Sequence, residues 1–176
     1  MQLSYKKLSL QDLRLTQKLG RETYEPLYHH KWKPGGLDWY MEKCFGAEIL
    51  KAELCDPNIE YWLPEDELGQ SVGILKLVLQ KPVPDFPVEN ALYLEKIYLF
   101  PNFIGKGAGQ IIIEFARQRA LQLQREAVWL TVMKSGPVAA YERAGFHTIG
   151  EVRWDFELLK EHERAGWIMV RPLESA

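Results

Sequence analysis

"FIGKGAGQIIIEFARQRA", residues 103–120, decides how this chain is read. Gly105, Gly107 and Gly109 alternate with Lys106 and Ala108, and an apolar run follows at once. Glycine is a poor helix former, yet it bends freely into turns that other residues resist. Placed directly before a helix, it predicts a concave loop whose free N–H groups point one way, toward an anion. A tight strand-to-helix turn without a ligand is the alternative, and a lone glycine would favour it. Immediately upstream, "ALYLEKIYLF" (Ala91–Phe100) is the longest strand-like run. Its apolar residues do not alternate cleanly with polar ones, which predicts a central strand buried on both faces.

Working outward, the period of apolar residues changes along the chain. Met1 to Leu8 reads as a first strand, and Ser9 followed by Asp12 as a helix start. Leu10, Leu13, Leu15, Leu19 and Tyr24 give a helical pattern. After Pro34, Gly35 and Gly36, residues Leu37 to Leu54 read as one second helix. "IEYWLP" and "SVGILKLVLQ" predict two strands, then comes the central strand, and "AVWLTVM" follows the glycine helix as another. "GPVAAYERAG" is a short helix with Pro137 at its start and Gly145 at its end. "GFHTIGEVRWDF" and "GWIMVRPL" predict a closing hairpin. The order β, αα, βββ, α, β, α, ββ predicts an α/β fold with a mixed sheet.

The totals set limits. A chain of 176 residues is read as one domain with room for a core. Its 47% apolar content and formal charge of −2 describe an ordinary globular protein without a basic nucleic-acid footprint. No apolar run is long enough to span a bilayer and no signal segment is visible, so a cytoplasmic location is expected, with neither membrane nor nucleic acid as a partner. Cys44 and Cys55 fall in the same expected helix and are read as unpaired thiols. His29 and His30 are adjacent, His147 and His162 isolated, and none has zinc-ligand spacing, so no metal is expected.

Which anion the loop holds is narrowed by exclusion. A P-loop needs Gly-Lys-Ser/Thr, but Lys106 is followed by Gly107 and Ala108. A dinucleotide fold needs G-x-G-x-x-G and an acid after the next strand, whereas the spacing here is G-x-G-x-G and that strand ends in Met133 and Lys134.

The glycine stretch, taken together with "AAYERAGF" (Ala139–Phe146), resembles the GNAT superfamily of N-acetyltransferases. That family carries R/Q-x-x-G-x-G/A between a central strand and a long helix, and A-x-x-x-Y-x-x-x-G-F further on. "RETYEPLY" and "YMEKCFGAEILKAEL" further resemble the bacterial PaiA-type spermidine/spermine acetyltransferases. The resemblance implies a GNAT-like acyl-CoA N-acyltransferase fold, with a mixed central sheet flanked by helices, over residues 1–176. It implies acetyl-CoA as co-substrate, with its pyrophosphate at Ile104, Gly105, Lys106, Gly107, Ala108, Gly109 and Gln110. The pantetheine arm would run along Ile97, Tyr98 and Leu99. Two departures from the pattern matter. Ile104 stands where the family has Arg or Gln. Lys134 stands where the family has Asn, so Lys134 or Ser135 is expected to replace that contact.

Acyl transfer to an amine sets four chemical demands. An alkyl ammonium with a pKa near ~10.4 must lose a proton before it has a lone pair to attack with. A base or water relay takes that proton, a donor meets the developing oxyanion, and the leaving thiolate needs stabilising. Glu95 is the candidate base, since a carboxylate in a central strand is costly unless paired or wetted. Its alternative is a pairing with a basic side chain, for which Lys96 is a candidate. Strand alternation puts Glu95 on one face with Ile97 and Leu99. By resemblance Tyr141 is the candidate acid, and a plain core tyrosine is its alternative.

Glu22, Glu25, Asp38 and Glu42 are read either as a ring around a cationic amine or as a solvated helix face. Tyr24, Tyr28, Trp32 and Trp39 either stack on the amine or belong to the core. No cysteine lies in either motif, so direct attack is expected. The acceptor expected is a polyamine or small alkyl amine. A protein N-terminus or lysine is the alternative acceptor, and an acyl-CoA sensor without turnover is the rival of another class. A homodimer is left open.

Overall fold

The computed structural model describes residues 1–173. Seven strands form one sheet: β1 (Ser4–Lys7), β2 (Ile59–Glu65), β3 (Gly73–Val78), β4 (Ala91–Leu99), β5 (Ala127–Met133), β6 (His147–Arg153) and β7 (Ala165–Pro172). Their spatial order is β1-β2-β3-β4-β5-β7-β6. Neighbours are antiparallel except β4 and β5, which run parallel. Helices α1 (Leu13–Tyr28), α2 (Gly36–Phe45) and α3 (Ala47–Cys55) lie between β1 and β2 in the chain. Helix α4 (Ala108–Gln122) makes the crossover from β4 to β5, and α5 (Val138–Arg143) follows β5. The fold is the expected α/β arrangement, a mixed sheet flanked by helices.

The core falls into three clusters, two of which pack the helices onto the sheet. Leu75, Leu77, Leu92, Leu94, Val128 and Leu130 pack with Ile112, Ile113 and Ala116 of α4. Tyr61, Leu63 and Ile74 pack on the other side with Leu19, Tyr24, Met41, Phe45 and Leu50 from α1, α2 and α3. Leu50 alone, fully buried, contributes roughly 1.5–3 kcal/mol relative to exposure.

Three expectations need correction. The buried stripe of α1 is Thr16, Leu19, Gly20, Thr23 and Tyr24, and Leu10 lies outside it, exposed in a 3-10 turn. The threonines sit in the core because their hydroxyls bond back to Asp12 O (2.9 Å) and Leu19 O (2.7 Å). The expected second helix is two, parted at Gly46, whose extended backbone (ψ 147°) ends α2. Cys44 and Cys55 therefore lie on different helices, both as free thiols. The first strand is also shorter than Met1 to Leu8, beginning at Ser4.

Two irregularities in β4 open and shape the space beside it. It pairs with β5 only over Ala91–Tyr93 against Ala127–Trp129, after which the two strands part and a wedge opens between them. Against β3, Lys76 is opposite Lys96 but Leu77 is opposite Leu94, so Glu95 is an extra residue in a β-bulge.

Candidate active site

The glycine loop stands at the mouth of that wedge. Gly105 (φ +74°) and Gly107 (φ +86°) occupy the left-handed region, and Gly107 is the residue that opens α4. Nothing lies within 4 Å of the place where a Cβ would project at either, so backbone conformation, not crowding, requires glycine there. Gly109 is not left-handed and lies within the helix. Among the described residues, no acceptor meets the N–H groups of Gly105 through Gly109; the first bonded one is Gln110 N–H to Gly107 O, 3.1 Å. These unpaired donors and the positive end of the α4 dipole make a site for an anion.

Two cavities adjoin beside the wedge. The larger, ≈ 640 Å³, is bordered by Gly105, Gly107, Gly109 and Gln110 on one side and Ile97 and Leu99 on the other. The smaller, ≈ 300 Å³, lies among α1, α2, β4 and the segment from Trp154 to Phe156. Tyr28, Lys31, Ile97, Gly136, Pro137 and Tyr141 border both. A long ligand held at the glycines would thus meet the second compartment at a border to which Tyr141 and Ile97 belong.

Tyr141 projects from the first turns of α5, beside Phe146 (ring centroids 6.0 Å). Gly145 (φ +85°) closes this helix, and Gln110 Nε2 ties it to α4 by donating to Ala140 O, 2.8 Å. The Tyr141 hydroxyl bonds to no described residue, and burial raises its pKa well above the usual phenol range. It therefore keeps its proton at neutral pH and can donate it into the seam between the cavities.

Glu95 borders the smaller cavity with a side chain 23% exposed. The bulge turns it and Lys96 to the same side, toward α1 to α3, while Ile97 and Leu99 face α4. The expected sharing of a face with Ile97 and Leu99 therefore fails, because alternation breaks at the bulge. Lys96 Nζ (2.5 Å) and Lys76 Nζ (2.9 Å) both donate to Oε1. Burial pushes the Glu95 carboxyl up, but the Lys96 and Lys76 ammoniums outweigh it and hold its pKa below the usual carboxylate range. Oε2 accepts no bond from a described residue and is not buried, so one carboxylate oxygen is open.

A third group joins the expected Ser135 to Lys31 and Glu163, two residues the sequence did not single out. Lys31, with a side chain only 6% exposed, donates to Ser135 Oγ (2.6 Å) and Glu163 Oε2 (2.7 Å). Ser135 in turn donates to Glu163. Burial raises the Glu163 carboxyl, and Lys31 and Ser135 bring it down past its ordinary value. Lys31, Ser135 and Glu163 are up to 132 positions apart, and no local spacing announces them. Arg143 is another omission: it borders the larger cavity and stands two places after Tyr141 in the same motif, where it could have been found.

The remaining expected site residues divide. Ile104 and Ser135 border the larger cavity, and Tyr24, Tyr28 and Tyr98 the smaller or both. Ala108 is buried in the core and Lys106 is exposed, so neither side chain borders a cavity. Tyr98 turns its ring away from the larger cavity toward Tyr24 (5.1 Å) and Tyr40. Lys134 points elsewhere, to Glu151 at 3.0 Å and over the Trp167 ring at 4.0 Å, because it follows the last residue of β5 and faces the hairpin. Glu22 is on the surface near Lys18, and Trp39 lies against Phe156 outside the cavity lining. Among the described residues no cluster of His, Cys, Asp and Glu could hold a metal ion, and no helix is long and apolar enough to cross a membrane.

Comparison with known proteins bears on the family and the fold. Residues 18–146 match the acetyltransferase (GNAT) family. An uncharacterized N-acetyltransferase in the pepI 3' region of Lactobacillus delbrueckii subsp. lactis is 28% identical over 115 residues. That match takes in 65% of this chain and spans 65% of the relative's length. The PaiA N-acetyltransferase from Thermoplasma acidophilum, solved with coenzyme A, superposes with a TM-score of 0.75 at 18% identity, over 98% of this chain and 100% of that one. A chimera of the spermidine N-acetyltransferase SpeG from Vibrio cholerae gives 0.70 at 20% identity, over 98% and 96%.

Proposed function

This chain belongs to the GNAT family of acetyltransferases, and on that premise we propose that it moves an acetyl group from acetyl-CoA to a primary amine by direct attack. The observation that carries the reading is the meeting of two cavities at Tyr141, one walled by the glycine loop and the other by Glu95. The residues present fit acetyl-CoA. Gly105 to Gly109 offer unpaired N–H groups to a pyrophosphate, and Arg143 borders the same space. The part of β4 released from β5 leaves Ile97 and Leu99 beside an extended arm. Bound acetyl-CoA supplies the activated thioester.

The protein's own groups do the rest. Glu95 Oε2 orients the incoming ammonium, and its depressed pKa makes it a weak base, so the proton leaves through water beside it. The amine nitrogen would form the new N–C bond as the C–S bond breaks, and its second N–H proton would pass through water to the thiolate, so that the amide and the free thiol leave. The Tyr141 hydroxyl donates a hydrogen bond to the departing sulfur, with its raised pKa keeping it protonated for that task. Cys44 borders the smaller cavity but sits in neither motif, and the mechanism assigns it no acetyl.

A small amine suits a cavity of ≈ 300 Å³ better than a protein side chain does. The spermidine named for the SpeG structure supports a small acceptor in general terms. Free cysteines support a reducing compartment such as the cytoplasm.

The test is amine-dependent CoA release by purified protein, repeated with Tyr141→Phe. The variant should lose roughly 10²–10⁴-fold in kcat while binding acetyl-CoA unchanged. Undiminished turnover would remove Tyr141 from the chemistry. Tight acetyl-CoA binding with no release for any amine would favour the sensor.

A further inference from the structure

We propose that the smaller cavity accepts an aromatic primary monoamine, such as an arylalkylamine, in preference to a polyamine; this rests on the transferase reading above.

Charge comes first. Among the described residues, Glu95 is the only carboxylate bordering this cavity; of the three lysines there, Lys31 is paired with Glu163 and Lys96 with Glu95, and the Lys43 ammonium has no carboxylate partner. Glu95 Oε1 is taken by Lys76 and Lys96, which leaves Oε2 for one ammonium. The second and third ammoniums of a polyamine would find no further carboxylate in the lining and would face the Lys43 ammonium instead. The acids that might have formed a ring are engaged or outside: Glu22 is near Lys18, Glu25 and Asp38 hold Arg21, and Glu42 does not border the cavity.

The walls give the complementary argument. Tyr24, Tyr40, Tyr98, Trp32 and Phe156 surround the space. Their rings pack at 5.0 Å (Tyr24 to Tyr40), 5.1 Å (Tyr24 to Tyr98) and 4.9 Å (Trp32 to Tyr40). Such walls suit an aromatic body that stacks or meets them edge-on. Aromatic faces also attract cations, but here Lys43 already supplies one, 5.5 Å from the Phe156 ring and 5.7 Å from Trp39. The Lys43 charge and the apolar walls disfavour the charged form of a bound amine and so favour the free base that attacks. A monoamine has one proton to lose and then matches the cavity throughout, whereas a polyamine stays cationic elsewhere along its length.

The experiment compares kcat/KM for 2-phenylethylamine and tyramine with that for spermidine and spermine. The aromatic amines should be at least about tenfold better. Equal or better turnover of spermidine overturns the inference while leaving the transferase reading intact. If no amine is turned over, the transferase reading fails, and binding decides the inference by itself. Trp32 and Trp154 border the cavity, so their fluorescence reports occupancy. 2-Phenylethylamine should then bind at least about tenfold tighter than spermidine, and equal or reversed affinities overturn the proposal. Lys43→Glu supplies a second check: it should narrow the preference for the aromatic amine, and an unchanged ratio refutes the charge argument.

Discussion

The two cavities share a border but are built differently. The larger presents backbone: the N–H groups of one loop, from Gly105 to Gly109, held by two left-handed glycines and one helix start. The smaller presents side chains, delivered by α1, α2, β4, β5 and the segment before β7. A backbone site recognises what many ligands have in common, which for the proposed acetyl-CoA is its pyrophosphate. A side-chain site sorts one ligand from another, because each wall can change independently. On the proposed function, the difference teaches that cofactor choice and acceptor choice would answer to different parts of this chain.

Lys31 gives the most severe way to break that division, because it borders both cavities. Lys31→Met leaves Glu163, 9% exposed, as a buried carboxylate without its ammonium. The loss should be about 3–5 kcal/mol, read from urea unfolding, with both ligands affected together. The pH dependence has a definite sign. The folded pKa of Glu163 lies below the unfolded value of ~4.3, so its stabilisation is complete above that value and disappears as pH falls through the folded one. The gap between wild type and variant should therefore narrow below about pH 4. A constant gap would show that the lysine acts through packing of its alkyl chain.

A narrower perturbation is Gly107→Val. A β-branched residue at φ +86° is strained by roughly 1–2 kcal/mol, which corresponds to about tenfold in affinity if the loop relaxes away from its ligand-binding shape. Calorimetry should show acetyl-CoA weakened by about that factor and the amine KM unchanged. Equal weakening of both would mean that the two compartments are not separable.

The smallest effect belongs to the acceptor side alone. Tyr98→Phe removes the hydroxyl that lies 3.3 Å from that of Tyr40. It should cost about 0.5–1.5 kcal/mol in stability and change the amine KM, with acetyl-CoA affinity untouched. An altered acetyl-CoA affinity would place Tyr98 functionally with Ile97 and Leu99, despite its side chain facing the other way.

By itself the sequence determined the parts that depend on near neighbours. Alternating glycines before an apolar helix, a strand ahead of them and a tyrosine four places before Gly145 all act over one or two turns of chain, so spacing alone reveals them. The same local reading set the mixed α/β order of elements and the family. Tertiary structure alone decided the bulge at Glu95, because an extra residue in β4 is defined only against the register of β3. It likewise decided that Lys134 faces Glu151, and that Lys31, Ser135 and Glu163 meet. Charges far apart in sequence carry no periodic signature, and only the folded sheet says which of them share a low-dielectric space and therefore answer to one another.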